Sequence, residues 1–213
     1  MRQLHLYGFL FILIFLLPTN NYASDNITVG SFDGKIYKND FLGFSVSLPQ
    51  GWFALDEKKR MEMMSTGLDL IAGDDKNYRT IVEVSKLKTV IMFSFYKQTV
   101  GFTDKYDHNI GGFAESLGLR ASSIKRGSDY LFHVKEALKQ GKLKYAFHEK
   151  YQTKKIGSKT FDILSMAIKV GNMTLRQKLY CTIVKGYSIV ITISYENQEQ
   201  LKELESIIDS IKI

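Results

Sequence analysis

The C-terminal third of the chain is four strand-length runs in a row: Lys144 to Lys154, Thr160 to Val170, Met173 to Val184 and Tyr187 to Tyr195. The spacers are Ile156-Gly157-Ser158, Gly171-Asn172 and Lys185-Gly186. Gly-Asn and Lys-Gly pairs between such runs are short hairpin signals, so this part of the sheet is an antiparallel meander. Asn197 then caps a helix whose Leu201, Leu204, Ile208 and Ile211 form one apolar stripe. Gln200, three residues after the cap, fits a capping box. The sequence therefore commits itself to an antiparallel sheet with a helix laid against it.

The sequence before Lys144 adds strands and two more helices. Lys35 to Lys38 and Gly43 to Leu48 flank a turn at Asn39-Asp40, with Phe44, Val46 and Leu48 alternating inward. Pro49-Gln50-Gly51 stops the second strand and delivers Trp52, expected as a buried anchor against the sheet. From Asp56, a candidate N-cap, Met61, Met64, Leu68 and Ile71 recur at helical spacing until Gly73. Thr80 to Lys86 and Thr89 to Lys97 read as strands. The second is apolar on both faces, Ile91, Phe93 and Phe95 on one and Val90, Met92 and Tyr96 on the other, which requires a sheet covered on both sides. Gly101 to Gly127 is glycine-rich and carries no assignment. Ser128 reads as the cap of a helix bearing Leu131, Val134 and Leu138 and ended by Gly141. With 213 residues, of which 45% are hydrophobic and 24% charged, one compact domain is expected. The predicted class is α+β, a predominantly antiparallel sheet of about six to seven strands with helices on both faces.

The extreme N-terminus reads differently. One cation, Arg2, precedes the apolar run Phe9 to Leu17, then Pro18 and a polar stretch ending at Ala23. That order is a secretory signal, and the run falls short of the ~20 apolar residues that span a bilayer. The expected organisation is a signal peptide over 1–23, cleaved after Ala23, a polar tail over 24–34 and one domain over 35–213. No transmembrane anchor is expected after cleavage, so the expected location is periplasmic or secreted. The single cysteine, Cys181, excludes an intramolecular disulfide, and its strand phase with Leu179 and Ile183 points it into a core layer.

The pattern Ile36-Tyr37, then Phe41-x-Gly43-Phe44-Ser45-Val46-x-Leu48-Pro49-x-Gly51-Trp52, resembles the opening of PsbP-like proteins, a group related to DcrB-type periplasmic proteins. Gly186-Tyr187-Ser188-Ile189-Val190-Ile191-Thr192-Ile193 and the helix-ending Ser210-Ile211 are similar to that family's C-terminal signature. The resemblance implies an antiparallel sheet between helices and a record of binding and accessory roles. It carries no active-site motif, and it transfers no functional residue.

Chemistry-bearing motifs are sparse. There is no Gly-x-Ser-x-Gly elbow, phosphate loop or dinucleotide fingerprint. Asp104, Asp107 and His108, with Asn109, are candidate metal ligands by residue type alone, in ordinary turn-forming context. No cofactor is expected. The strongest lead is charge. Net charge is +7, and between Lys135 and Lys159 eight lysines face two glutamates. Read as one strand, Lys144 to Lys154 puts Lys144, His148, Lys150 and Lys154 on one face and Tyr145, Phe147 and Tyr151 on the other, with Arg176 and Lys178 extending the basic face from another strand. Such a face suits an acidic protein surface, an anionic lipid surface or an acidic glycan. Nucleic acid is not expected outside the cytoplasm. The bland alternative is lysines that keep a sheet edge soluble. The expected function is an exported, non-enzymatic binding or accessory protein; the other class considered is a hydrolase or other enzyme with a site near residues 101–127.

Overall fold

The computed structural model describes residues 28–72, 80, 88–97, 107–141, 143–170 and 173–213. The expected signal segment and the run Thr80 to Lys86, apart from residue 80, lie outside the described residues. A small three-stranded sheet comes first: β1 (Ser31–Asp33), β2 (Ile36–Asn39) and β3 (Phe44–Ser47), paired in that order. β1 falls in the stretch read from sequence as a polar tail. It is strand because residues 31–33 find a ready edge in β2, with Phe32 opposite Tyr37.

The large sheet is antiparallel throughout and has eight strands among the described residues, more than the six to seven expected. They are β4 (Phe53–Ala54), β5 (Thr89–Tyr96), β6 (Asn109–Ser116), β7 (Tyr145–Phe147), β8 (Gln152–Ile156), β9 (Lys159–Val170), β10 (Met173–Val184) and β11 (Tyr187–Tyr195). Their order is β4-β5-β6-β11-β10-β9-β7, with β8 also paired to β9. The β10–β11 hairpin turns through Lys185 and Gly186, both at positive φ (50° and 80°), the requirement of a type I′ turn.

Three α-helices among the described residues cover the two faces: α1 (Glu57–Ala72), α2 (Gly127–Gln140) and α3 (Gln198–Asp209). Asp56 does cap α1, its Oδ1 accepting from the Lys59 N–H at 2.8 Å. Met64 from that helix is buried, whereas Met61 is exposed and not part of the expected stripe. The cap of α2 is not Ser128: Asp129 Oδ2 accepts from the backbone of Lys125 and Arg126, each at 2.9 Å. The Ser128 N–H is taken instead by Asp162 Oδ2 of β9 at 2.8 Å, which ties the helix start to the sheet. At α3, Asn197 Oδ1 accepts from Gln200 N and Gln200 Oε1 from Glu196 N, close to the expected reciprocal cap.

Each face of the sheet has its own core. Under α2 and α1 lie Ile91, Tyr96, Phe113, Leu164, Leu179, Cys181 and Val190, with Tyr130, Leu131, Val134 and Leu138 from α2. Under α3 and the small sheet lie Phe93, Phe95, Ile110, Ile189, Ile191 and Ile193 with Leu204, Ile207, Ile208 and Ile211. Burying each of those last four aliphatic side chains stabilises the fold by about 1.5–3 kcal/mol. β5 is buried on both faces, as its composition required, but a register shift between Ile91 and Phe93 puts Ile91 on the opposite face from Phe93 and Phe95. A β-bulge inserts one residue and so reverses the alternation.

β6 occupies the middle of the unassigned glycine-rich segment and pairs with both β5 and β11. Its glycine is a packing device: a Cβ on Gly112 would stand 2.5 Å from Cε1 of the buried Phe93 ring. Gly127 is tighter, since a Cβ there would meet the backbone oxygen of Cys181 at 2.0 Å. An aromatic ring can tilt, and a strand carbonyl cannot. Gly112→Ala is therefore expected to cost about 1–3 kcal/mol, and Gly127→Ala more than Gly112→Ala. Urea midpoints of the two variants, compared at equal slope, check that order.

Candidate functional site

The basic positions read from sequence are not on one strand. β7 and β8 are separated by His148 to Tyr151, four residues facing two on β9, so the ladder contains a two-residue insertion. Register nonetheless brings most of them together. Tyr145 and Phe147 pack into the core under α2, so Ala146, in the opposite phase, lies on the α3 side with Lys144 and His148 flanking it. On β9, Ser165, Ala167 and Lys169 share that side, in phase with Phe161 and Ile163 of the core under α3. On β10, Arg176 pairs with Ala167 and Lys178 with Ser165. The result is an exposed strip over three neighbouring strands. Its floor is Ala146, Ala167 and Ser165, and around it stand Lys144, His148, Lys169, Arg176 and Lys178.

α3 bounds this strip on one side and draws off part of its charge. Lys178 Nζ pairs with Glu205 Oε1 at 2.8 Å, and Lys154 Nζ with Asp209 Oδ1 at 2.7 Å. Arg176 Nη1 donates to the Glu196 carbonyl at 2.6 Å. Lys150 sits in the insertion between β7 and β8, exposed, with its carbonyl 3.2 Å from His148 Nδ1. Lys144 and Lys169 are exposed and lie side by side, each the neighbour on its own chain segment of the Tyr145–Ile168 pair. Lys169 escaped the sequence reading, since only strand pairing shows that it neighbours Lys144.

A second polar cluster, also not foreseen, lies at the other flank of α3. Glu203 accepts from Lys97 Nζ (2.5 Å) and Trp52 Nε1 (3.1 Å), and its second oxygen lies 2.9 Å from His108 Nε2. The His108 ring meets Trp52 edge-on at 5.2 Å, and Lys97 lies over the Trp52 ring at 5.7 Å. Partial burial would raise the Glu203 pKa, but the hydrogen bonds from Lys97, His108 and Trp52 outweigh it and hold the carboxyl down at about 2. His108 is thus engaged with a carboxylate of α3. Asp104 lies outside the described residues, and among those described no group of three metal-ligating side chains forms. The Cys181 thiol makes a long contact to its neighbour's carbonyl, and burial pushes its pKa well up, which suits a core thiol and not a nucleophile.

One further acid lies in the core under α2. Glu115 of β6 is 2% exposed and accepts from Tyr130 OH at 2.5 Å. Burial raises its pKa to about 7 against the lowering effect of the Tyr130 hydrogen bond.

No family model matches the chain, and no curated protein matches it. Among solved structures it is similar to the cyanobacterial PsbP of Synechocystis sp. PCC 6803, with 14% identity and a TM-score of 0.48 over 86% of this chain and 98% of that one. It is also similar to LpqN of Mycobacterium tuberculosis, described as involved in cell envelope biogenesis, with 11% identity and a TM-score of 0.44 over 79% and 82% of the two chains. A third similar structure, from Bacteroides thetaiotaomicron VPI-5482, has 14% identity and a TM-score of 0.42, and this chain spans 48% of it. PsbP is also the family that the two end motifs resemble. These likenesses concern fold alone, and any function has to be argued from this chain's own residues.

The buried polar groups have measurable consequences. Trp52, 5% exposed, should resist a neutral aqueous quencher, and Trp52→Ala should cost about 3–5 kcal/mol in chemical unfolding. The two glutamates set opposite limbs of the pH–stability curve. Glu115, with a folded pKa raised above the usual 4.5 to about 7, contributes stability that is complete below pH 4.5 and lost as pH rises through 7. Glu203, depressed to about 2, contributes stability that is complete above 4.5 and lost as pH falls towards 2. Glu115→Gln should flatten the fall in stability between pH 4.5 and 7 and leave the rise between pH 2 and 4.5 in place, and Glu203→Gln the reverse, in unfolding titrations across pH 2 to 9.

Proposed function

We propose that this chain is an exported, non-enzymatic binding or accessory protein that holds an anionic partner on the basic strip of β7, β9 and β10. The observation that carries the reading is the register itself. It sets Lys144, His148, Lys169, Arg176 and Lys178 around a floor of Ala146, Ala167 and Ser165, where no bulky side chain stands between a ligand and the sheet. Export is read from the sequence of residues 1–23. Among the described residues, no helix is long and apolar enough to cross a membrane.

The charge balance distinguishes two groups of cations. Lys154 and Lys178 have carboxylate partners on α3, and removing either lysine takes that partner away from its acid. Lys144 and Lys169 have no ion-pair partner among the described residues, so their charge is available to a ligand and little fold stability depends on it. An exposed lysine pair held in register is repulsive by itself. An anion bridging the two relieves that repulsion and gains their attraction at once.

The test is a salt series on anionic matrices. The mature protein should be retained on anionic vesicles or acidic polysaccharide at low salt and released as ionic strength approaches ~0.15 M, where the Debye length is about 8 Å. Lys144→Glu with Lys169→Glu should abolish retention, with stability changed by no more than about 0.5 kcal/mol per site. Lys154→Ala, which removes a cation already paired with Asp209, should leave retention in place and change stability little. Equal retention of wild type and the double variant at every salt concentration would reduce these lysines to a solubility role.

A further inference from the structure

The basic strip ends at β7, the last strand in the sheet order, and among the described residues no strand pairs with its outer side. The ladder phase there can be derived. His148 N–H donates to the Ser165 carbonyl at 2.9 Å, so His148 faces β9 with its main chain. Antiparallel pairs alternate between bonded and non-bonded positions. Ala146, two residues back and opposite Ala167, therefore also bonds inward, and Phe147, opposite Met166, turns its N–H and C=O away from β9. An edge of this kind is a template for another strand.

Side chains on the two sides of β7 state what that strand must look like. Lys144 and His148 flank Ala146 on the α3 side, and Lys169 stands behind Lys144. On the α2 side are the half-buried Tyr145 and Phe147, the latter with Lys135 Nζ at 5.5 Å from its ring. A strand added at this edge meets cations with one set of alternate residues and aromatic surface with the other. The insertion at His148 to Tyr151 ends the edge, so the slot accepts only a short segment. Self-pairing is disfavoured. A second copy of this chain, net charge +7, would bring the Lys144 and His148 edge against another basic edge. The lysines that keep copies apart thus select for an acidic strand.

We propose that β7 captures a short extended segment of an acidic partner protein, with carboxylates and apolar residues in strict alternation, as an added strand. This mode takes affinity from main-chain hydrogen bonds and specificity from alternate side chains. It rests on the basic strip being a binding face, and it narrows the partner from anions in general to one backbone geometry.

The experiment uses the mature protein and dye-labelled, end-blocked peptides followed by fluorescence anisotropy. The parent is Gly-Glu-Val-Glu-Val-Glu-Gly. A second peptide carries the same side chains with its valine amides N-methylated, a third those amides unmodified with its glutamates N-methylated, and a fourth has the order Gly-Glu-Glu-Val-Val-Glu-Gly. Strand addition predicts saturable binding of the parent, at least about tenfold weaker binding of one N-methylated peptide, whichever blocks the amides facing β7, and weaker binding of the fourth. Lys144→Glu should remove parent binding. If all four peptides bind alike, the contact is charge alone: strand addition is wrong, and the anionic-partner reading stands. Retention on anionic vesicles or acidic polysaccharide without binding of any peptide likewise overturns strand addition and keeps the anionic partner. Loss of all anion binding, peptide and matrix together, overturns both.

Discussion

Strands β6 and β11 are buried almost from end to end, and a sheet whose central strands are closed to water on both faces needs a separate cover for each. That requirement organises the molecule. α2 and α1 supply one cover, and α3 with the small N-terminal sheet supplies the other. The close approaches at Gly112 and Gly127 follow from it as well, since layers packed on both sides of one sheet leave no room for a side chain where a ring or a carbonyl already stands.

α3 does more than cover. Its apolar stripe faces the sheet, and its flanking acids collect cations far apart in sequence: Lys97, just past β5, at Glu203, Lys178 of β10 at Glu205 and Lys154 of β8 at Asp209. These pairs are partly exposed, and each one adds little stability. Their larger effect is on the charge map. With the lysines beside the helix paired to its acids, Lys144 and Lys169 near the β7 edge stand without an ion-pair partner among the described residues.

How much of this could be read beforehand depended on whether the cause was local. The β10–β11 hairpin was legible because a two-residue turn needs positive φ, and Lys185-Gly186 supplies it. The two-sided burial of β5 was legible from composition, but the bulge that sends Ile91 to the other face was not, because an inserted residue leaves no mark on a short apolar run. β6 was missed because Gly111-Gly112 reads as loop until Phe93 is seen in the vacant Cβ position. For the basic face, phase along one strand put Lys144 and His148 on one side, and register sets Arg176 and Lys178 on that same side of the neighbouring strand. It could not show that Lys154 is taken by Asp209, nor that Lys169 adjoins Lys144, since both depend on partners fixed by register. The Glu203 cluster had no local signal at all, its contributors coming from four separate segments.

That cluster bears on the order in which the protein assembles. Trp52 and Glu203 are 151 positions apart, yet the indole and the carboxylate must meet to close one flank of α3. The β9-β10-β11 meander, by contrast, is built from contacts between sequence neighbours and needs only small loops to close. Distant contacts are entropically the slower ones to make. The Trp52–Glu203 clasp therefore closes a far longer loop than any turn of the meander and carries the larger closure entropy, and Trp52, the single tryptophan of the chain, is its built-in optical reporter.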